Sequence, residues 1–215
     1  RLRSVWKEAC REAASRQSHR VAMIVPAPFY LESEAVLLEM VAAGVFGDWL
    51  EIHLRGMGGA GKTTLLRHLG AWWQVTHFVE QVFYFGYDTK AHTLQQILHE
   101  VAKGLLGEEE YRRRFQALSL EDGEIWVAEE LCRERHLLIL DNLESASGAE
   151  MAIGTALSAA EKAKLKRFLA RLAGGRSFVL LGSRGPEAWL SEAEKDYTAP
   201  LKGEETTYEL GGLDE

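Results

Sequence analysis

Cysteine is almost missing from this chain, and its two copies, Cys10 and Cys132, stand far apart in 215 residues. The two fit no metal or redox spacing, which points to reduced thiols in a cytosolic setting. Long apolar runs are missing as well. No stretch approaches the roughly 20 residues needed to cross a bilayer, and none reads as a signal peptide, so the expected location is the cytoplasm with no membrane partner. Positive charge is not in excess either: 25 Lys and Arg stand against 32 Asp and Glu, for a net charge of −7. A general nucleic-acid binder is therefore not expected. The seven histidines are scattered and none has a cysteine or histidine partner at metal-ligand spacing. No serine or cysteine nucleophile stands out, and there is no internal repeat or low-complexity tract.

What is present is an ordinary globular composition, 47% apolar and 27% charged, in a length that suits one α/β domain with some appended helix. The chain begins at Arg1 and stops at Glu215, just after an expected strand, so it is expected to be a piece of a longer protein.

The stretch Gly56-Met57-Gly58-Gly59-Ala60-Gly61-Lys62-Thr63-Thr64 carries the most chemistry. A glycine, four residues, then Gly61-Lys62-Thr63 match the phosphate-binding loop pattern in full. Glycines permit the φ > 0 steps that turn consecutive N–H groups inward around an anion. A helix starting near Gly61 aims its own N-terminal N–H groups at the same charge. Lys62 can reach β/γ oxygens, and the Thr63 hydroxyl can bind Mg²⁺.

Around this loop the pattern alternates. Residues 4–19 and a segment from Leu31 to Gly44 or Gly47 read as helices, separated by an extended linker holding Pro26 and Pro28. Trp49–Leu54 reads as the first strand and Phe78–Tyr87 as the second. Thr93 with Gln96 forms a capping box that opens a helix expected to stop at Gly104. Glu108–Glu110 followed by Arg112–Arg114 suits a further solvated helix, and Ser119 caps another that runs to about Arg135. Leu137–Leu140 ends in Asp141, as a buried parallel strand with an acid at its tip does. Ser158 with Glu161 opens a helix burying Leu165, Phe168, Leu169 and Leu172 and ending at Gly174-Gly175. The basic face of that helix, Lys162, Lys164, Lys166 and Arg167, reads as solvated rather than as a nucleic-acid patch. Ser177–Leu181 and Thr206–Leu210 are the last strands. The expectation is an α/β fold: a three-layer P-loop domain with a five-stranded, mostly parallel sheet and helices on both faces. Its expected limits are 26–215, with 1–25 a helix and linker that could close a preceding domain.

Strand tips of such sheets are where ligands bind. Asp141 is the natural partner of Thr63 for a Mg²⁺ held beside phosphates. Asn142 follows it, an amide that cannot serve as a base at neutral pH. Glu144 can either substitute as the base or point to solvent. Arg184, at the tip of a neighbouring strand, can sense or stabilise a γ-phosphate, or form a surface salt bridge.

Taken together these residues resemble a family. Gly56–Leu65 resembles the phosphate loop of the NB-ARC type of STAND nucleotidases, Leu137–Glu144 is similar to their second nucleotide motif, and Leu180–Arg184 to their arginine-bearing sensor strand. Tyr208–Leu213 is similar to the strand leading into their helical subdomain. The resemblance spans about 26–215. It implies the strand order 5-1-4-3-2, ATP/ADP with Mg²⁺ as cofactors, and nucleotide exchange as an on/off switch with homo-oligomerisation in the ATP state. Gly56, Gly58, Gly59, Ala60, Gly61, Lys62, Thr63 and Thr64 would hold phosphates, and Phe29 and Tyr30 the adenine. Here the family's aromatic-Gly-Arg element is replaced by Phe29-Tyr30-Leu31-Glu32, and its paired acids by Asp141-Asn142, which implies slow hydrolysis. Linked effector and repeat domains would be the partners. The competing expectations are a turnover ATPase or kinase, with Arg112–Arg114 as the candidate lid, and a passive protein-interaction scaffold.

Overall fold

Two short apolar runs decide the architecture of this chain. Leu137–Asp141 (β3) and Phe178–Ser183 (β4) are buried at every residue, which strands tolerate when both faces of their sheet are covered. The computed structural model describes residues 50–147, 156–185, 187–191 and 207–210. The helices expected before residue 48, the Pro26–Pro28 linker, Phe29, Tyr30 and Gly211–Leu213 lie outside these residues.

With Leu50–Gly56 (β1), Val82–Gly86 (β2) and Thr207–Leu210 (β5), the two buried strands form one five-stranded sheet in the order β2-β3-β4-β1-β5. Every neighbouring pair runs parallel, so the tips of β1, β3 and β4 emerge on one edge. Side chains then sort by the two-residue period of a strand. Leu137 and Ile139 of β3 join Phe178 and Leu180 of β4 against Leu65, Leu66, Leu69 and Trp73 of α1 (Lys62–Val75). Their alternates, Leu138, Leu140, Val179 and Leu181, pack with residues of α2 (Leu94–Arg114), α3 (Leu120–Arg133) and α5 (Ala159–Arg171). Fully burying each such side chain contributes about 1.5–3 kcal/mol. Short helices α4 (Leu143–Ser147) and α6 (Ala188–Ser191) follow β3 and β4. The result is an α/β P-loop-type fold with a parallel sheet between helices.

Some boundaries differ from expectation, each for a visible reason. The helix opened by Thr93 passes Gly104 and breaks at Gly107, whose φ of 75° and ψ of 165° are not helical, and the expected second helical piece follows it to Arg114 within the span of α2. Gly104 is instead a packing glycine, since a Cβ there would lie 2.6 Å from the Phe83 ring. Phe78 and Val79 are not strand. Their N–H groups close the end of α1 by donating to the Trp73 carbonyl, and the Phe78 ring stacks on Phe178 at 5.3 Å. The Ser158 hydroxyl caps α5 by accepting from the Glu161 N–H, while the Glu161 carboxylate holds Lys164 at 2.7 Å.

Candidate functional site

β1 delivers the chain to Gly56 at the ligand-facing edge of the sheet, and α1 starts six residues later. Between them Gly59 and Gly61 take φ of 85° and 88°, and the Ala60 N–H donates to the Met57 carbonyl at 3.2 Å. A side chain at either glycine would be strained by that backbone, so the pattern of glycines follows from the turn itself. Gly61 is the N-cap of α1 and supplies no side-chain cap, which leaves the helix N-terminus to an external anion.

Lys62 is buried, 6% exposed, and folds back over the loop. Its Nζ donates to the carbonyls of Gly56 at 2.6 Å and Met57 at 3.0 Å. Burial holds its ammonium below the usual lysine range; Glu144 and Asp141 pull it back up, and Arg184 lowers it further. The four groups therefore share one electrostatic neighbourhood.

Asp141 is fully buried at the tip of β3. Its Oδ2 accepts the Tyr84 hydroxyl at 2.8 Å and its Oδ1 accepts the Asn142 N–H at 2.9 Å. Room for this carboxylate comes from Gly182 on β4, where a Cβ would sit 2.4 Å from Oδ1. Tyr84 and Gly182 went unread in the sequence as site residues. Gly182 had a signal, a glycine inside an otherwise apolar strand, which marks a close approach. Tyr84 had none, because its partner is 57 residues away. Burial and the bond to Asp141 push the Tyr84 hydroxyl up to about 12, and Arg67 of α1 lies 4.7 Å over its ring.

Asn142 adopts φ 58°, a left-handed conformation that asparagine tolerates better than most residues. Glu144 does not point free into solvent. Its Oε1 meets the Arg184 Nε at 3.1 Å and its Oε2 accepts the Arg184 N–H at 3.2 Å. The guanidinium in turn rests against the loop, 3.5 Å from where a Gly58 Cβ would be. The structure thus brings Gly56–Thr64, Asp141, Asn142, Glu144 and Arg184 to one edge of the sheet, while Phe29 and Tyr30 lie outside the described residues.

The arrangement fits a polyphosphate, with left-handed glycines, an uncapped helix start and a buried ammonium. The oxygen donors of Thr63 and Asp141 suit a hard cation such as Mg²⁺.

The sequence pattern of the NB-ARC domain matches residues 34–168. The chain belongs to the NB-ARC domain family. It is accordingly an NB-ARC-type P-loop nucleotide-binding domain. Among curated proteins none matches. Solved structures of similar fold include Cdc6p from Pyrobaculum aerophilum, 15% identical with a TM-score of 0.57, covering 89% of this chain and 48% of that one. The ADP form of the Aeropyrum pernix ORC2 protein is 18% identical with a TM-score of 0.56, covering 89% and 51%. The Aeropyrum pernix ORC1 protein in complex with DNA is 18% identical with a TM-score of 0.52, covering 86% and 45%. At such identities the likeness shows the fold, and the NB-ARC chain spans about half the length of these structures. Among the described residues no helix is long and apolar enough to cross a membrane.

Proposed function

We propose that this NB-ARC domain is an ATP/ADP-operated switch within a larger STAND-type signalling protein, hydrolysing ATP slowly with Mg²⁺ and favouring oligomers in its ATP state. The single observation that carries the proposal is the buried Lys62 ammonium, held over a loop of left-handed glycines at an uncapped helix start. Loop amides and Lys62 bind the phosphates, with Lys62 exchanging its carbonyl partners for phosphate oxygens. Thr63 and Asp141 would hold Mg²⁺, which would supply charge neutralisation beside the phosphates. Phe29 and Tyr30 are the proposed adenine contacts, and 26–215 the proposed domain.

Slow turnover is supported by two features. Asn142 offers no base, and Glu144, the nearest alternative, is engaged with Arg184. Nucleic acid is left out of the proposal because a net charge of −7 disfavours phosphate-backbone contacts.

The test is direct: denature the purified chain, separate any released nucleotide chromatographically, and titrate the nucleotide-free protein with ADP and ATP. Binding to the original chain and its loss in Lys62→Ala, with an unchanged circular dichroism spectrum, is the expected outcome. Equal affinity in that variant would remove the assignment. Steady-state turnover should stay below about one per minute, far from the 1–100 per second typical of kinases; a kinase-like rate would replace the switch with a turnover enzyme.

A further inference from the structure

A switch must tell a triphosphate from a diphosphate, and the pairing of Glu144 with Arg184 bears on that choice. Arg184 stands where a ligand in the loop would meet it, its guanidinium 3.5 Å from the position of a Gly58 Cβ. It is not idle there. Glu144 grips it twice, at the side chain through Nε and at the main chain through its N–H. Glu144 itself is largely sheltered, its side chain 13% exposed against 49% for Arg184. A carboxylate with a fixed partner in a partly desolvated place holds it better than a fully solvated one would. Both residues act on Lys62 through space, in opposite senses, so the pair lies within the field of the phosphate-binding ammonium.

We propose that Glu144 is a specificity-determining residue, one that sets the triphosphate-to-diphosphate preference by holding Arg184 in a pairing which a terminal phosphate must displace. The proposal rests on the nucleotide reading above. A diphosphate leaves the pair intact. A triphosphate brings a second anion to the same guanidinium, and the two anions compete for one cation. The cost of that exchange falls on ATP alone, which places the ADP-bound form lower than the loop by itself would. Repulsion between Glu144 and an incoming γ-phosphate acts in the same direction.

The experiment compares the affinity of the 215-residue chain for ADP and for a non-hydrolysable ATP analogue by calorimetry, at fixed Mg²⁺. Glu144→Gln should raise the preference for the triphosphate by about fivefold, the scale of a partly exposed ion pair. In an Arg184→Ala background the same substitution should shift the preference clearly less, because the pairing is already gone and only the direct repulsion remains. An unchanged ratio in the single variant overturns the proposal. So does an equal shift in the Arg184→Ala background, which would assign the effect to bulk charge. Unfolding midpoints without nucleotide check that each variant folds, and Glu144→Asp, one methylene shorter, serves the same comparison if the glutamine variant does not. Failure of the unsubstituted chain to bind either ligand would sink the nucleotide reading itself, a result distinct from binding without discrimination.

Discussion

Asp141 has two neighbours that hold it in one orientation, and each can be removed by a single substitution. The Tyr84 hydroxyl donates to Oδ2 at 2.8 Å, so Tyr84→Phe deletes one hydrogen bond and leaves the ring and its contact with Arg67. A net loss of about 1–3 kcal/mol in stability is expected, since the fully buried Asp141 carboxylate loses a donor that water does not replace. The sharper effect should fall on metal. Residues that orient a ligating carboxylate change metal affinity by about 10- to 100-fold, so the Mg²⁺-dependent gain in ATP affinity should shrink by about tenfold. Calorimetry with and without Mg²⁺ reads it; an undiminished gain would mean that Asp141 does not serve the metal. Gly182→Ala acts from the other side. Its Cβ would lie 2.4 Å from Oδ1 and 2.8 Å from the Leu66 Cδ1, so either the carboxylate or the helix must move. Overpacking of this kind costs about 1–3 kcal/mol, and here the displaced group is the proposed metal ligand, so ATP binding should weaken along with stability. Chemical denaturation beside a nucleotide titration separates the two losses.

Between elements, Glu124 of α3 is 4% exposed and reaches two arginines of α5. Arg171 Nε lies at 3.1 Å and Arg167 Nη2 at 3.7 Å, each half exposed. The burden is therefore uneven. Removing the carboxylate, as in Glu124→Gln, frees two cations that can turn to water, at a cost of about 1 kcal/mol. Removing both arginines strands a buried charge, at a cost of about 3 kcal/mol. Urea denaturation of Glu124→Gln and of the Arg167→Ala, Arg171→Ala double variant should show that order, and the reverse order would mean that the carboxylate gains little from its partners. The same helices show what could be read in advance. Thr93, Ser119 and Ser158 cap α2, α3 and α5 because a cap depends on residues three apart. The phosphate loop was legible for the same local reason. Gly104 was not, since its role depends on Phe83 across a helix–strand contact, and the usual stop signal had to be read without that knowledge. Phe78 looked like strand by composition, yet its ring serves the core beneath α1. The grip of Glu144 on Arg184 spans 40 residues and depends on β4 lying beside β3, so only the folded sheet reveals it.

Across the whole molecule the sheet has two chemically different ends. The nucleotide residues cluster at the carboxyl tips, whereas His136 is buried at the opposite end, immediately before β3. Five residues of strand separate it from that edge, about 17 Å at 3.3 Å each. His136 donates its backbone N–H to the Ser177 hydroxyl at 2.9 Å, and its ring is tilted against Phe83. Burial lowers its pKa from the usual 6.5, and Glu80, Glu134 and Glu130 offset that only in part. The consequence has a definite sign. Below pH 6.5 the unfolded chain takes up the proton more readily than the folded one, so protonation favours unfolding. The contribution of His136 is complete above about pH 6.5 and declines as the pH falls toward the lower folded-state value. Thermal unfolding between pH 7.5 and 5, at about 2–4 °C of midpoint per kcal/mol for a domain of this size, should show the midpoint falling, and His136→Gln should flatten that fall whatever its effect at neutral pH. An equal slope in the variant would place the acid sensitivity elsewhere. ADP at about 100 times its dissociation constant adds ~2.7 kcal/mol through the other end of the sheet. Because the two ends share no side-chain partner among the described residues, the nucleotide increment should be the same in His136→Gln as in the original chain. A smaller increment in the variant would mean that the strands carry a signal from base to tip, and β3, which holds both His136 at its foot and Asp141 at its head, would be the element to carry it.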